Sequence, residues 1–444
     1  MTEPSSDPAP LRIALATDNY GPTRSGLLYA VQFLEHELLR RGHEITVIAP
    51  AANGPNPYRH DPLRREVRVP SVRVPGIGAR VATGQQFEAR LDQLERTPLD
   101  LVHVHGLGPV GLFGVWLARR KGIPLMVTWH TDFEAYADHY WHLTPLLDVY
   151  YRLLKLRNTG LARPGGMNLT RGLRNRPLTS KQHLLLAAKQ MLEEADLVTT
   201  PSDKTASRVV DLAPASRVAI VPNGADPLPS GPPVPKGRGP RILFVGRIAP
   251  EKGIQLMLDA FALVERDIPT AELMIVGDWR KSAGLREKLR SASHRGNVTL
   301  VGEVDRDKLG PYYESADVFC FPSLTDTQAL VLHEAAHAGL PIVSVDPELR
   351  MVCEDPGNAR FARPNAVSLR NALMAMLADV RRPDLREQMA AHGRLLADRY
   401  TIEKQSGQMM QLYRSLADTV DHPPEQRRAR GGRLRRWRSN WEWL

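Results

Sequence analysis

The chain has 444 residues, 59 Lys plus Arg against 49 Asp plus Glu, and 42% hydrophobic residues. That length and composition describe an ordinary globular chain of two or three domains and exclude extended disorder for most of it. Two cysteines, Cys320 and Cys353, are too few for a disulfide framework, so a reducing, intracellular setting is expected.

The first ten residues, MTEPSSDPAP, lack the basic and apolar regions of a secretory signal. The longest near-apolar stretch, Leu107 to Ala118, is well short of the ~20 residues that cross a bilayer. The formal charge of +10 is uneven. Residues 149–192 carry nine cations and no acid, and residues 422–444 carry seven Arg and two Glu, so the rest of the chain sums to −4. A charge run is commonly a solvated face. Two runs that mix cations with apolar or aromatic residues favour an anionic surface.

In chain order, Leu11 to Thr17 reads as a strand. Leu27, Val31, Leu34 and Leu38 recur at helical spacing, and Ile45 to Ala49 reads as a second strand. This βαβ unit implies a parallel sheet. Strands follow at Leu101–His105, Pro124–Trp129, Leu197–Thr200 and Val218–Val221. The segment 227–240, PLPSGPPVPKGRGP, can be neither helix nor central strand and reads as a linker. The alternation then restarts with strands at Arg241–Val245, Glu272–Val276, Asn297–Val301, Asp317–Phe321 and Pro341–Val345. Helices are expected over Gly253–Val264, near Leu285–Ser293 and from about Gln328. The expected organisation is a first α/β domain over 1–226 with a basic insertion at about 146–180, the linker, a second α/β domain over 241–400, a helix over 401–420 returning to the first domain, and an Arg/Trp-rich tail over 421–444. In open parallel sheets ligands bind beyond the carboxyl ends of strands.

The second half opens with Val245-Gly246-Arg247-Ile248-Ala249-Pro250-Glu251-Lys252-Gly253, between a strand and a helix. Gly246 frees the backbone, Arg247 can grip phosphate oxygens bidentately, Lys252 adds a point charge and the helix adds its dipole. This suits a diphosphate; a turn with surface cations is the bland alternative. About 80 residues on, Asp326 follows a strand and Glu334 lies in the next helix, within PSLTDTQALVLHEAA. Eight helical residues rise ~12 Å, so these carboxylates serve two ends of an extended ligand, not one shared proton or metal. A capping Asp and a surface Glu would be the plain structural reading.

Together with Thr17-Asp18-Asn19-Tyr20 and Gly26, Arg41-Gly42-His43-Glu44, Val102-His103-Val104-His105, His130-Thr131-Asp132, Thr200-Pro201-Ser202 and Pro222-Asn223-Gly224, these stretches resemble the retaining family 4 glycosyltransferases. The Thr-Asp-Thr-Gln stretch is most similar to the branch that glucosylates diacylglycerol. The resemblance implies the α/β GT-B fold, two Rossmann-like domains with parallel sheets facing across a cleft. It implies that Gly246, Arg247 and Lys252 bind the donor diphosphate, that the Gly26 loop approaches the phosphates, and that Glu334 binds the ribose hydroxyls. Asp326 would hold the transferred sugar, with Thr327, Gln328, Ala329 and Leu330 completing the donor site. His130 would lie beside sugar and acceptor, making His130, Asp326, Arg247 and Lys252 the catalytic set. The sequence departs from the family at the first position of E-x7-E, here Asp326, and at Val276-Gly277-Asp278-Trp279-Arg280, where many relatives have V-G-D-G-P. Asp305-Arg306-Asp307 is similar to a metal motif of the other glycosyltransferase fold, but its place after a strand and before a helix predicts helix capping, and no metal or other cofactor is expected.

The implied reaction moves a hexose from a nucleotide diphosphate sugar to a lipid acceptor such as diacylglycerol, on the inner face of the cytoplasmic membrane. A soluble acceptor, or a silent nucleotide-sugar-binding protein, are the alternatives. At the head of this basic stretch, LLDVYYRLLKLRNT (146–159) carries a narrow polar stripe of Asp148, Arg152, Lys155 and Thr159, which suits either a core helix or an interfacial one. The Arg/Trp tail suits lipid headgroups, and without any nucleic-acid motif a nucleic-acid partner is not expected.

Overall fold

The computed structural model describes residues 9–21, 25–51, 60–73, 80–83, 85–130, 179–280, 283–294 and 296–419. The basic stretch 149–178, the tail 422–444 and Thr131-Asp132 lie outside the described residues. The chain divides into two compact units, Met1–Pro222 with Gln405–Leu444, and Asn223–Lys404.

The first unit holds β1 (Arg12–Thr17), α1 (Gly26–Arg40), β2 (Glu44–Pro50), β3 (Arg64–Val69), β4 (Ser71–Arg73), β5 (Arg80–Ala82), α2 (Phe87–Glu95), β6 (Leu101–His105), α3 (Pro109–Lys121), β7 (Leu125–Thr128), α4 (Ser180–Glu194), β8 (Leu197–Thr200), α5 (Asp203–Leu212) and β9 (Val218–Ile220). Its sheet runs β3-β2-β1-β6-β7-β8-β9 with every pair parallel, and β4 and β5 form a separate antiparallel ribbon. The central strand β1 is apolar and buried from Ile13 to Ala16, as a strand covered on both faces must be. The helical repeat Leu28, Val31, Leu34 and Leu38 buries α1 against one face, and Ser25 caps it by accepting the Leu28 N–H.

The second unit holds β10 (Arg241–Val245), a 3-10 turn at Pro250–Lys252, α6 (Ile254–Asp267), β11 (Glu272–Val276), α7 (Ala283–His294), β12 (Val298–Gly302), a 3-10 turn at Arg306–Lys308, α8 (Gly310–Glu314), β13 (Val318–Phe321), α9 (Leu330–His337), β14 (Ile342–Ser344), β15 (Ala359–Phe361), α10 (Ala366–Asp379) and α11 (Pro383–Ala397). The parallel sheet runs β12-β11-β10-β13-β14-β15. In both sheets the strand order reverses beside the first strand, at β1/β6 and at β10/β13, which places the ligand edge at the loops after those strands. The last helix, α12 (Ile402–Ala417), begins in the second unit, and its Met409, Met410, Tyr413 and Leu416 join the core beneath β1, β2 and β6.

Segment 227–240 lacks helix and strand, but it is not the crossing between units. The chain enters the second unit at Asn223, and the proline-rich stretch then lies packed along that unit. Its Ser230 bonds Glu314, its Lys236 pairs with Asp317, and a Cβ at Gly239 would sit 1.5 Å from the Thr270 carbonyl oxygen. Prolines supply a fixed extended path here, and glycines the close approach.

Candidate active site

The residues expected to bind the donor, Gly26 apart, lie in the second unit, after β10 and β13. Two loops meet there because Gly253 takes φ +69° and a Cβ on it would come within 2.0 Å of the Pro322 carbonyl oxygen. Only glycine allows that approach, and it brings Lys252 to Asp326, Nζ to Oδ1 2.5 Å, with both side chains about four-fifths covered. Arg247 turns to Glu251, Nη2 to Oε1 2.6 Å, and keeps about half of its surface open. The Glu251 carbonyl in turn accepts from Ser323 and Thr325, so the two loops are stitched by backbone as well as charge.

Glu334 is buried on α9 and both its oxygens are engaged. Oε1 accepts from Arg306 Nε at 2.9 Å and Oε2 from the Tyr313 hydroxyl at 2.8 Å, and burial beside this carboxylate pushes the Tyr313 phenol well above its ordinary range. Arg306 and Tyr313 therefore share the carboxylate assigned by resemblance to the ribose hydroxyls. Glu334→Gln should fold with about 1–2 kcal/mol of loss, whereas Glu334→Ala, which removes the acceptor of the buried Tyr313 hydroxyl and the ion pair to Arg306, should lose about 3 kcal/mol or more in urea denaturation. Asp305 stands at the N-cap of the 3-10 turn but makes no capping hydrogen bond; it pairs with Lys308 at 3.5 Å. Capping was the wrong expectation for that motif, because the turn directs Arg306 inward and leaves the aspartate at the surface. Among the described residues no three or more His, Cys, Asp and Glu gather as a metal set.

Trp279 is half-buried against the core of the second unit, with the Arg280 guanidinium 5.4 Å from its ring centroid. Gln328 is buried with its amide turned to the backbone of Asn223 and not outward. Ala329 has φ +62°, and Leu330 opens α9. Thr327 is half-buried in the same loop.

Gly26 and His130 belong to the first unit. Gly26 begins α1, and a Cβ on it would meet nothing within 4 Å, so the chain's own packing does not require glycine there. His130 follows β7, and its Nε2 lies 3.0 Å from Nδ1 of His105 at the end of β6. The rings of His105 and His103 lie 3.8 Å apart, and His103 is itself bonded to Tyr413 and Thr128. His105 and His103 belong to a stretch of the family resemblance but carried no expected role in the site; alternation on β6 puts both on one face of the sheet. Asp18, just past β1, is half-buried and accepts the backbone N–H groups of Val110 and Gly111 at the start of α3. A Cβ at Gly108 would fall 2.4 Å from that carboxyl, which explains the glycine.

Burial pushes His130 down to about 3 and holds His103 and His105 well below the ordinary histidine range, whereas it pushes Asp18 up to about 6. A histidine whose folded value lies below its unfolded value of 6.5 supports folding above 6.5 and loses that support as the pH falls toward the folded value. Asp18 acts the other way, losing stability as the pH rises from 3.8 to about 6. Three histidines outweigh one aspartate, so urea denaturation should show stability falling from pH 6.5 to 5. A flat or inverted profile would refute neutral burial of the three rings.

The family model described as Glycosyltransferase Family 4 matches residues 26–227, and that described as Glycosyl transferases group 1 matches residues 239–379, one on each half of the chain. The chain belongs to the family 4 glycosyltransferases. This glycosyltransferase is 25% identical over 425 residues to alpha-monoglucosyldiacylglycerol synthase of Acholeplasma laidlawii, covering 92% of the chain and 98% of the relative. It is 26% identical to the Streptococcus pneumoniae enzyme of the same name over 75% of the chain and 71% of the relative. It is also 27% identical to GDP-mannose-dependent alpha-mannosyltransferase of Mycolicibacterium smegmatis, over 76% and 80%. Among solved structures, sucrose-phosphate synthase from Thermosynechococcus elongatus matches with a TM-score of 0.66 at 20% identity, covering 91% of this chain and 99% of that one. The glycosyltransferase WaaG matches at 0.62 and 17% identity, over 92% and 99%. These likenesses establish the GT-B fold, and the family makes the chain a hexosyltransferase. No helix among the described residues is long and apolar enough to cross a membrane.

Proposed function

We propose that the enzyme moves a hexose from a nucleotide diphosphate sugar to a membrane lipid hydroxyl, with diacylglycerol the leading acceptor, and retains the α configuration. The observation that carries the donor half is the pair of loops after β10 and β13, which sets the half-open Arg247 and the Lys252–Asp326 pair at the ligand edge of a Rossmann-like sheet. As the C1–O bond breaks, negative charge grows on the departing diphosphate, and two fixed cations at that edge are the groups to receive it. In this reading Asp326 accepts sugar hydroxyls, and His130, held by His105, keeps the role beside sugar and acceptor that the family resemblance implies. No metal is needed in this reading, so transfer in EDTA should match transfer in Mg²⁺ within about twofold. The acceptor half is supported by the glucosyldiacylglycerol synthases among the relatives and by the cationic runs at 149–192 and 422–444, which suit an anionic membrane surface on the cytoplasmic side.

The mannosyltransferase relatives favour a second donor, GDP-mannose, and one assay separates the readings. Purified enzyme is incubated with UDP- or GDP-sugars and diacylglycerol in phosphatidylglycerol-containing liposomes, and products are read by mass spectrometry. Glycolipid from one donor supports the proposal and names the sugar. A glycosylated soluble acceptor without glycolipid refutes the lipid reading, and donor binding with no product in either pool refutes the catalytic one. Deleting residues 427–444 should weaken binding to anionic liposomes in flotation and leave UDP-sugar or GDP-sugar affinity intact.

A further inference from the structure

Gln328 stands two residues after Asp326, yet its side chain is only 3% exposed and serves the chain itself. Its Oε1 accepts the backbone N–H of Asn223 at 2.7 Å, and its Nε2 donates to the backbone carbonyl of Asn223 at 2.8 Å. The second amide hydrogen points to Nε2 of His333 at 3.1 Å. Burial pushes His333 down to about 4, so the ring is neutral and accepts on Nε2. A flipped amide would set NH₂ against N–H and oxygen against oxygen, so the contacts fix one orientation. The side chain thus pairs with both backbone groups of one residue, as a neighbouring strand would.

Asn223 is where the chain enters the second unit, and Lys404 is where it leaves. The two passages are bound together: Ala225 N–H donates to the Tyr400 carbonyl at 2.9 Å, and a Cβ at Gly224 would lie 2.4 Å from the Ile402 Cα. On the other side of Gln328, Ala329 holds a left-handed φ of +62°, a conformation that costs a non-glycine residue about 1 kcal/mol and persists only where neighbours over-determine it.

We infer that Gln328 is a positioning residue and not a donor ligand. It holds Asp326 opposite Lys252 by anchoring the loop to the backbone at which the chain enters the unit, so that the donor loop and residues 223–225 order as one element. The inference rests on the proposed donor role of Asp326 and Lys252. Backbone amide exchange of the full chain, read by mass spectrometry with and without UDP, tests it.

In the unliganded wild type the Asn223 amide should exchange slowly, and UDP should slow it further. Gln328→Leu, close in volume, should speed that exchange about tenfold or more and abolish its response to UDP. It should also lower kcat about tenfold while changing the Kd for UDP less than about threefold, since Lys252 remains. Gln328→Glu keeps the acceptor for the Asn223 N–H but faces the Asn223 carbonyl with negative charge. It should give intermediate exchange, and it carries the test if the leucine variant does not fold. Wild-type exchange at Asn223 in either folded variant overturns the inference, as does an unchanged kcat. If neither UDP nor GDP binds the wild type, the donor reading falls, and exchange in the unliganded variants alone then decides whether Gln328 anchors the loop.

Discussion

Lys252→Ala should lower kcat/KM for the nucleotide sugar by about 10²–10³-fold, the loss usual for removing one fixed donor to developing charge. Two effects add in the same direction. The variant removes a cation from the loop after β10, and it takes the 2.5 Å ammonium away from the largely covered Asp326, which leaves more negative charge beside the diphosphate. Lys252→Arg should recover only part, because a planar fork cannot occupy the position of a compact ammonium. The control is Lys252→Ala combined with Asp326→Asn. If the lysine serves only to neutralise Asp326, the double variant regains the donor affinity of Asp326→Asn alone. If Lys252 also meets the diphosphate, affinity stays low, and the cycle shows coupling well below the full single-variant loss. Titration calorimetry with UDP and steady-state kinetics read the two cases. Unchanged KM and kcat in Lys252→Ala would remove this loop from the donor site.

Much of this site was legible because its parts are local. Strand, glycine, cations and helix follow one another between Val245 and Ile254, and the buried runs of β1, β6 and β10 announce strands covered on both faces. What sequence reading missed depends on partners far along the chain. Glu334 looks like a free carboxylate on a helix until Arg306 and Tyr313 are found at its two oxygens. Gln328 reads as a donor ligand until the backbone 105 residues earlier is seen to fill its amide. The strand β3, RREVRV, went unread for a different reason. Its only buried apolar residues are Val67 and Val69, and its Arg and Glu side chains pair along the sheet edge, so charge obscures the alternation.

That edge carries the largest stability effect expected in the molecule. Arg64 and Glu35 are 2% and 0% exposed at their side chains and meet at 2.6 Å. Arg64 also bonds Glu66 and the Tyr20 hydroxyl, which in turn donates to Glu35. Removing the arginine leaves a carboxylate in the core with one neutral partner, so Arg64→Met should destabilise the first unit by about 3–5 kcal/mol in urea denaturation. Glu35→Gln in the same chain should recover much of the loss, because an amide needs no counter-ion. The pH dependence gives an independent check. Burial already raises the Glu35 carboxyl above its ordinary value with Arg64 present, and without Arg64 that rise grows. A carboxyl with a raised folded value destabilises as the pH climbs above the unfolded 4.5, so the gap between variant and wild type should be widest near neutrality and narrow toward pH 5. Because Tyr20 belongs to the loop between β1 and the Gly26 end of α1, the same variant should loosen that loop, seen as faster amide exchange at residues 18–21. A pH-independent gap would place the loss in packing of the arginine stem and not in the stranded charge.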